Sequence, residues 1–131
     1  MIGMQRLASL QRCVETVLAD DIPGDLVECG VWRGGASILM RAVLAAYGDE
    51  TRCVWLADSF AGVPPPDAAN YKADKGIKLH LFAPMLAVSE AEVRANFQRY
   101  GLLDDQVRFL PGWFQRHAAR CPDRTHRCIE A

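Results

Sequence analysis

The sequence predicts an α/β domain with a parallel sheet of about three strands and flanking helices. Three observations carry this. Short apolar runs alternate with longer stretches whose apolar residues recur every three or four positions. Turn residues separate these stretches throughout. A glycine-rich segment follows the first apolar run directly and opens a helix.

Each element can be justified in order. Met4, Leu7, Leu10, Val14, Val17 and Leu18 form one apolar helical stripe. Asp20–Asp25, with Pro23 and Gly24, ends it in a turn. Leu26–Val31 reads as a short buried strand, and Trp32-Arg33-Gly34-Gly35 as a turn. Ala36–Tyr47 reads as a helix with Gly48 just past its end. Cys53–Asp58 is a second buried strand. Residues 61–88 contain Pro64-Pro65-Pro66, which cannot continue a helix or a central strand, so this stretch reads as a long loop or lid. Ser89 and Glu92 form a capping box for a helix that buries Val93, Phe97 and Tyr100 and ends at Gly101. Gln106–Leu110 is a third strand. Right-handed crossovers are expected to put helices on both faces of the sheet.

The bulk numbers exclude several function classes. The 131 residues suffice for one small domain with a core, and half are hydrophobic, which excludes disorder. A net charge of −1 with interleaved signs gives no electrostatic case for nucleic acid or an anionic membrane. No apolar run approaches the roughly 20 residues needed to span a bilayer. The first residues lack the apolar region of a signal peptide. The five cysteines are odd in number and form no CxxC pair, so a reduced, cytoplasmic protein is expected.

Chemistry concentrates where the first strand meets its helix. Small residues in Glu28-Cys29-Gly30-Val31-Trp32-Arg33-Gly34-Gly35 let backbone amides approach a ligand. Glu28 lies at the strand's carboxyl end, where open α/β sheets bind ligands. Asp58 ends the second strand, 23 residues beyond Gly35, where a carboxylate can accept hydrogen bonds from both ribose hydroxyls. The spacing is not the dinucleotide fingerprint G-x-G-x-x-G. Glu28 would repel a pyrophosphate but suits the cationic amino acid end of S-adenosylmethionine (SAM). The alternative for Asp58 is a plain turn or helix-capping residue.

The segments Met1-Ile2-Gly3, Gly24 to Gly35, Ala57-Asp58-Ser59-Phe60 and Tyr100 to Val107 resemble the macrocin O-methyltransferase (TylF/MycF) family, in order and spacing over about residues 1–115. The resemblance implies the N-terminal half of a Rossmann-like class I SAM-dependent methyltransferase fold. It implies methylation of a sugar hydroxyl on a macrolide-like natural product, using SAM and a magnesium ion. Carried over by position, Glu28, Gly30, Arg33 and Gly34 resemble the loop around the methionine part of SAM. Asp58 and Ser59 resemble the ribose site. Gly112 and Trp113 lie where such folds hold the adenine, although Trp113 also reads as an ordinary core aromatic. Residues 61–88 resemble the substrate lid, where Tyr71 and His80 could touch substrate or face solvent. The implied partner is a glycosylated small molecule, and intact relatives could form homo-oligomers.

The chain departs from the family after Phe114. The aspartates that would bind magnesium there are absent, so no catalytic or metal residue is assigned. Asp104-Asp105 is no substitute, because it matches the turn before the third strand. Read one nucleotide later, codons compatible with Arg116–Ala131 permit a peptide resembling the family's continuation. Residues 1–115 are therefore expected to be a partial methyltransferase domain, and 116–131 an out-of-frame tail. On that reading Cys121, His126 and Cys128 are not metal ligands. Further residues before Met1 are expected in the family. The expected function is the family's O-methylation, with this fragment inactive. The rivals are a non-catalytic SAM-binding remnant, an unstable fragment, or a nicotinamide-dependent oxidoreductase, which Glu28 disfavours. Three strands in the order 3-2-1 would leave the first at an edge, and the chain is expected to be aggregation-prone or partly molten.

Overall fold

The computed structural model describes residues 3–67, 69–76, 78–113 and 129–130. Strands β1 (Leu26–Cys29), β2 (Val54–Asp58) and β3 (Val107–Pro111) form where the apolar runs stand. They pair in parallel, Leu26 beside Val54 and Val54 beside Val107. A two-residue strand, β4 (Ile129–Glu130), runs parallel to β1 and pairs Leu26 with Ile129 and Val27 with Glu130. The sheet order is therefore β3-β2-β1-β4. This corrects the expectation that β1 is an edge. A buried Val-rich parallel strand draws a neighbour to each side, and the tail supplies it over half of β1.

Helix α1 (Met4–Ala19) buries Val14 and Val17, while Met4, at the start of the stripe, is 79% exposed. Helix α2 (Gly35–Ala46) is apolar on most sides and is buried at Ile38, Met40, Val43 and Leu44. It is followed by Gly48 at φ +70°, a left-handed conformation that costs glycine little. Residues 61–88 are more ordered than a plain loop. They hold two 3₁₀ turns, Lys72–Asp74 and Leu79–Phe82, and a short helix α3 (Ala83–Leu86). Pro84 sits in the first turn of α3, where its missing N–H is no loss. Helix α4 (Glu90–Arg99) starts where Ser89 Oγ accepts the Glu92 amide at 3.2 Å. It buries Val93 and Phe97 completely, but Tyr100 is 70% exposed.

The core joins Leu26, Val54, Leu56 and Val107 to side chains of α1, α2 and α4. The register places Leu26, Val54 and Val107 in one row, with Leu56 and Phe109 in the row two residues on, so all five share a sheet face. Arg94 lies 4.0 Å from the centre of the Phe109 ring and caps this face from α4. The expected two-sided arrangement is thus replaced, among the described residues, by helices that join the core on one face. The reason is topological. The chain steps from β1 to β2 to β3 in a single direction, and right-handed crossovers then lay successive helices on the same side.

Polar ties fix the ends of these elements. Arg41, almost fully buried in α2, holds Asp104 through Nε at 3.0 and 3.1 Å and Nη2 at 2.6 Å. This contact holds the Asp104 carboxyl below the usual carboxylate range. Asp104 is thus a structural partner in the turn before β3. Burial would raise the Asp49 pKa, but the Arg52 and Thr51 amides and side chains overrule it and hold the group at about 2. Asp25 accepts the Cys53 amide at 2.9 Å and the Trp55 indole N–H at 2.8 Å, locking β1 to β2.

Candidate functional site

The carboxyl ends of β1, β2 and β3 open onto a cleft of about 740 Å³ between the glycine turn and the lid. That volume suits a small-molecule ligand. The turn between β1 and α2 has three residues with positive φ, Gly30 at +87°, Trp32 at +48° and Gly34 at +81°. Gly34 is small because of packing: a Cβ there would lie 2.9 Å from Val93 Cγ1. Gly30 meets nothing within 4 Å, so its face toward the cleft is open.

Asp58 organises this end of the sheet. Its Oδ2 accepts the Val31 amide at 2.6 Å and the Trp32 amide at 3.3 Å. Its Oδ1 accepts the Phe60 amide at 2.9 Å and lies 3.4 Å from the Ser59 hydroxyl oxygen. One carboxylate thus binds the turn after β1 to the turn after β2. Two of the four contacts are long, and a vicinal diol entering the cleft could replace them while the two short ones stay. The Asp58 backbone carbonyl accepts the Gly112 amide at 2.8 Å, which brings the end of β3 to the same place. Ser59 Oγ also donates to the Gly62 carbonyl at 3.1 Å and starts the lid.

Glu28 faces a different way. Its Oε2 accepts the Ser37 amide at 3.0 Å and the Ser37 hydroxyl, inside the first turn of α2. Burial pushes the Glu28 pKa up, Ser37 partly offsets that, and the nearby Asp58 adds to the rise. The helix N-terminus favours the ionised form.

Of the residues singled out from sequence, Gly30, Asp58, Ser59, Gly112 and Trp113 line the cleft together. Glu28, Arg33 and Gly34 stand outside its lining. Glu28 turns toward α2, Gly34 packs on α4, and Arg33 is exposed with its guanidinium 5.0 Å from the Trp32 ring centre. Tyr71 lines the cleft from the lid, with Asp67 and Asp74. The His80 side chain and Cys121, His126 and Cys128 lie outside the described residues. Sequence reasoning missed Trp32, which lines the cleft and donates its indole N–H to the Met85 carbonyl at 3.2 Å. The available signal was a bulky residue inside a glycine turn. Among the described residues, no three His, Cys, Asp or Glu side chains come together as a metal site. No helix there is long and apolar enough to cross a membrane.

The lining fits a cationic nucleoside. It offers a carboxylate for a diol, the Trp113 indole for a flat base, and the carboxylates of Asp58, Asp67 and Asp74 with no Lys or Arg among them. The described residues gather no cluster of carboxylates, histidines or cysteines that fits a magnesium ion.

The family model described as Macrocin-O-methyltransferase (TylF) matches residues 1–126. The 8-demethyl-8-(2,3-dimethoxy-alpha-L-rhamnosyl)-tetracenomycin-C 4'-O-methyltransferase of Streptomyces olivaceus is 64% identical over 115 residues, 88% of this chain and 44% of that protein. Mycinamicin III 3''-O-methyltransferase of Micromonospora griseorubida is 55% identical over 117 residues, 88% of this chain and 46% of that protein. The solved structure of the O-methyltransferase NovP superposes with a TM-score of 0.84 at 55% identity, over 87% of this chain and 47% of that one. The chain therefore spans less than half the length of these relatives. It belongs to the macrocin-O-methyltransferase (TylF) family of O-methyltransferases.

Proposed function

We propose that this chain forms the SAM-holding half of an O-methyltransferase that acts on a sugar hydroxyl of a glycosylated natural product. The observation that carries the reading is Asp58, whose two long contacts face a cleft lined by carboxylates and indoles. Asp58 and Ser59 would hold the ribose. Gly112 and Trp113 would hold the adenine. Gly30 would let the methionine end approach the backbone, while Glu28, Arg33 and Gly34 act through the shape of the turn rather than by touching the ligand. SAM, when bound, supplies an electrophilic methyl group. The residues of this chain bind and orient its donor and exclude water from the cleft.

The acceptor class rests on the relatives, whose names give a rhamnosyl tetracenomycin and a mycinamicin as substrates. On this reading residues 1–115 carry the domain and 116–131 are out of frame, although the family model matches as far as residue 126 and β4 lies within 116–131. Calorimetric titration of the 131-residue chain with SAM tests the proposal. Binding is expected, with a loss of tenfold or more in Asp58→Asn, about the worth of a hydrogen bond to a charged group. No heat with SAM, or an unchanged affinity in Asp58→Asn, overturns it. On this reading no methyl transfer from labelled SAM to a glycosylated macrolide is expected from the 131-residue chain, whose described residues gather no metal-binding cluster. Product formation would refute that part.

A further inference from the structure

The contact between Trp32 and the lid is not explained by cofactor binding. Trp32 sits in the β1–α2 turn at φ +48°, a conformation that bulky residues rarely adopt. Its amide is held by Asp58 Oδ2 and its ring lies beside the Arg33 guanidinium. From there the indole N–H reaches 53 positions along the chain to the Met85 carbonyl in α3. At the other end of the same segment, Gly62 lies against Ala87, where a Cβ on Gly62 would be 3.1 to 3.3 Å from Ala87 atoms. The lid is therefore held at its base by close backbone packing and over the cleft by an indole hydrogen bond. Around Trp32, the lid offers exposed Leu81, Phe82 and Met85, which give it little apolar burial to hold it down.

We propose that Trp32 is a positioning residue whose indole N–H latches α3 across the mouth of the cleft and so sets how long a bound ligand stays. Met85 contributes only its backbone carbonyl, so the identity of its side chain is immaterial to the latch. The residence-time part rests on the SAM reading above, and the latch itself does not.

The test compares the wild-type chain with Trp32→Phe, which keeps an aromatic ring and loses the donor. Hydrogen exchange is followed without ligand at the Ala87 amide, which bonds to the Ala83 carbonyl in α3, and at amides of α4. Loss of one hydrogen bond is expected to speed exchange at Ala87 about five-fold and to leave α4 unchanged. Unchanged exchange at Ala87, or equal acceleration in both helices, overturns the latch. Should Trp32→Phe lose the wild-type melting behaviour, benzothienylalanine at position 32, an isostere with sulfur in place of N–H, carries the same comparison. In a second arm SAM is displaced from both chains, and dissociation is expected to quicken by about the same factor in the variant. An unchanged rate overturns the residence-time role. A wild-type chain that does not bind SAM overturns the SAM reading, while the ligand-free arm still decides the latch.

Discussion

At the scale of single residues, Asp58 both lines the cleft and ties two turns together, while Glu28 stands outside that lining and is bound to Ser37. The burial of Glu28 has a pH signature. Its folded-state pKa is raised above the ordinary 4.5, so the folded chain binds the proton more tightly than the unfolded one. Stability is then greatest below that value and falls as pH rises from 4.5 through the folded-state pKa. Ser37 softens the fall by donating two hydrogen bonds to the ionised form. Ser37→Ala is expected to cost about 1–2 kcal/mol at pH 7 and less at pH 4, where Glu28 is mostly protonated in both states. Denaturant midpoints at the two pH values check this, and equal losses at both would remove Glu28's charge from the account. The position of Glu28 at a strand end was legible in the sequence. Its partner was not, because which α2 side chain meets it depends on the phase of the helix.

At the scale of elements, the strands were legible because each is a short apolar run bounded by turn residues. Helix α4 was legible because Ser89 announces its start. The turn between β1 and α2 was legible as a site, but two of its glycines serve different ends. Gly30 opens toward the cleft, and Gly34 makes room for Val93 and Phe97. Gly34→Ala combines a strained positive φ with a 2.9 Å contact on Val93. The contact is with a side-chain methyl that can give way, so a loss of about 1–3 kcal/mol is expected rather than failure to fold. Thermal melts of the variant measure it. In a Val93→Ala background the same substitution should cost less if the contact is its source, which a double-mutant cycle measures. The lid was legible only as an interruption, since its proline run excludes regular structure without dictating the short turns that replace it.

At the scale of the whole molecule, the sequence led to a half-fold and the comparisons bear that extent out. What the sequence could not display was one-sidedness. The sheet face carrying Leu26, Val54, Leu56 and Val107 is packed by α1, α2 and α4. The opposite face carries Val27, Trp55 and Ala57, with Trp55 half-buried and tied to Asp25. A sheet with helices concentrated on one side, and with exposed Leu81, Phe82 and Met85 nearby in sequence, is expected to bind a hydrophobic dye and melt broadly. A sharp, cooperative melt from a soluble monomer would count against it.

The one-directional strand order also has a consequence in time. β2 pairs with the strand made just before it, and β3 pairs with β2 in turn. A chain leaving the ribosome at about 5–20 residues per second could therefore close each pair as it emerges, finishing through β3 on the order of ten seconds after β1 appears. β4 breaks the sequence by returning to the far side of β1, the oldest strand in the sheet. Until β4 is made, that side of β1 is unpaired, and an unpaired edge of a nascent copy is expected to be open to association with other chains there.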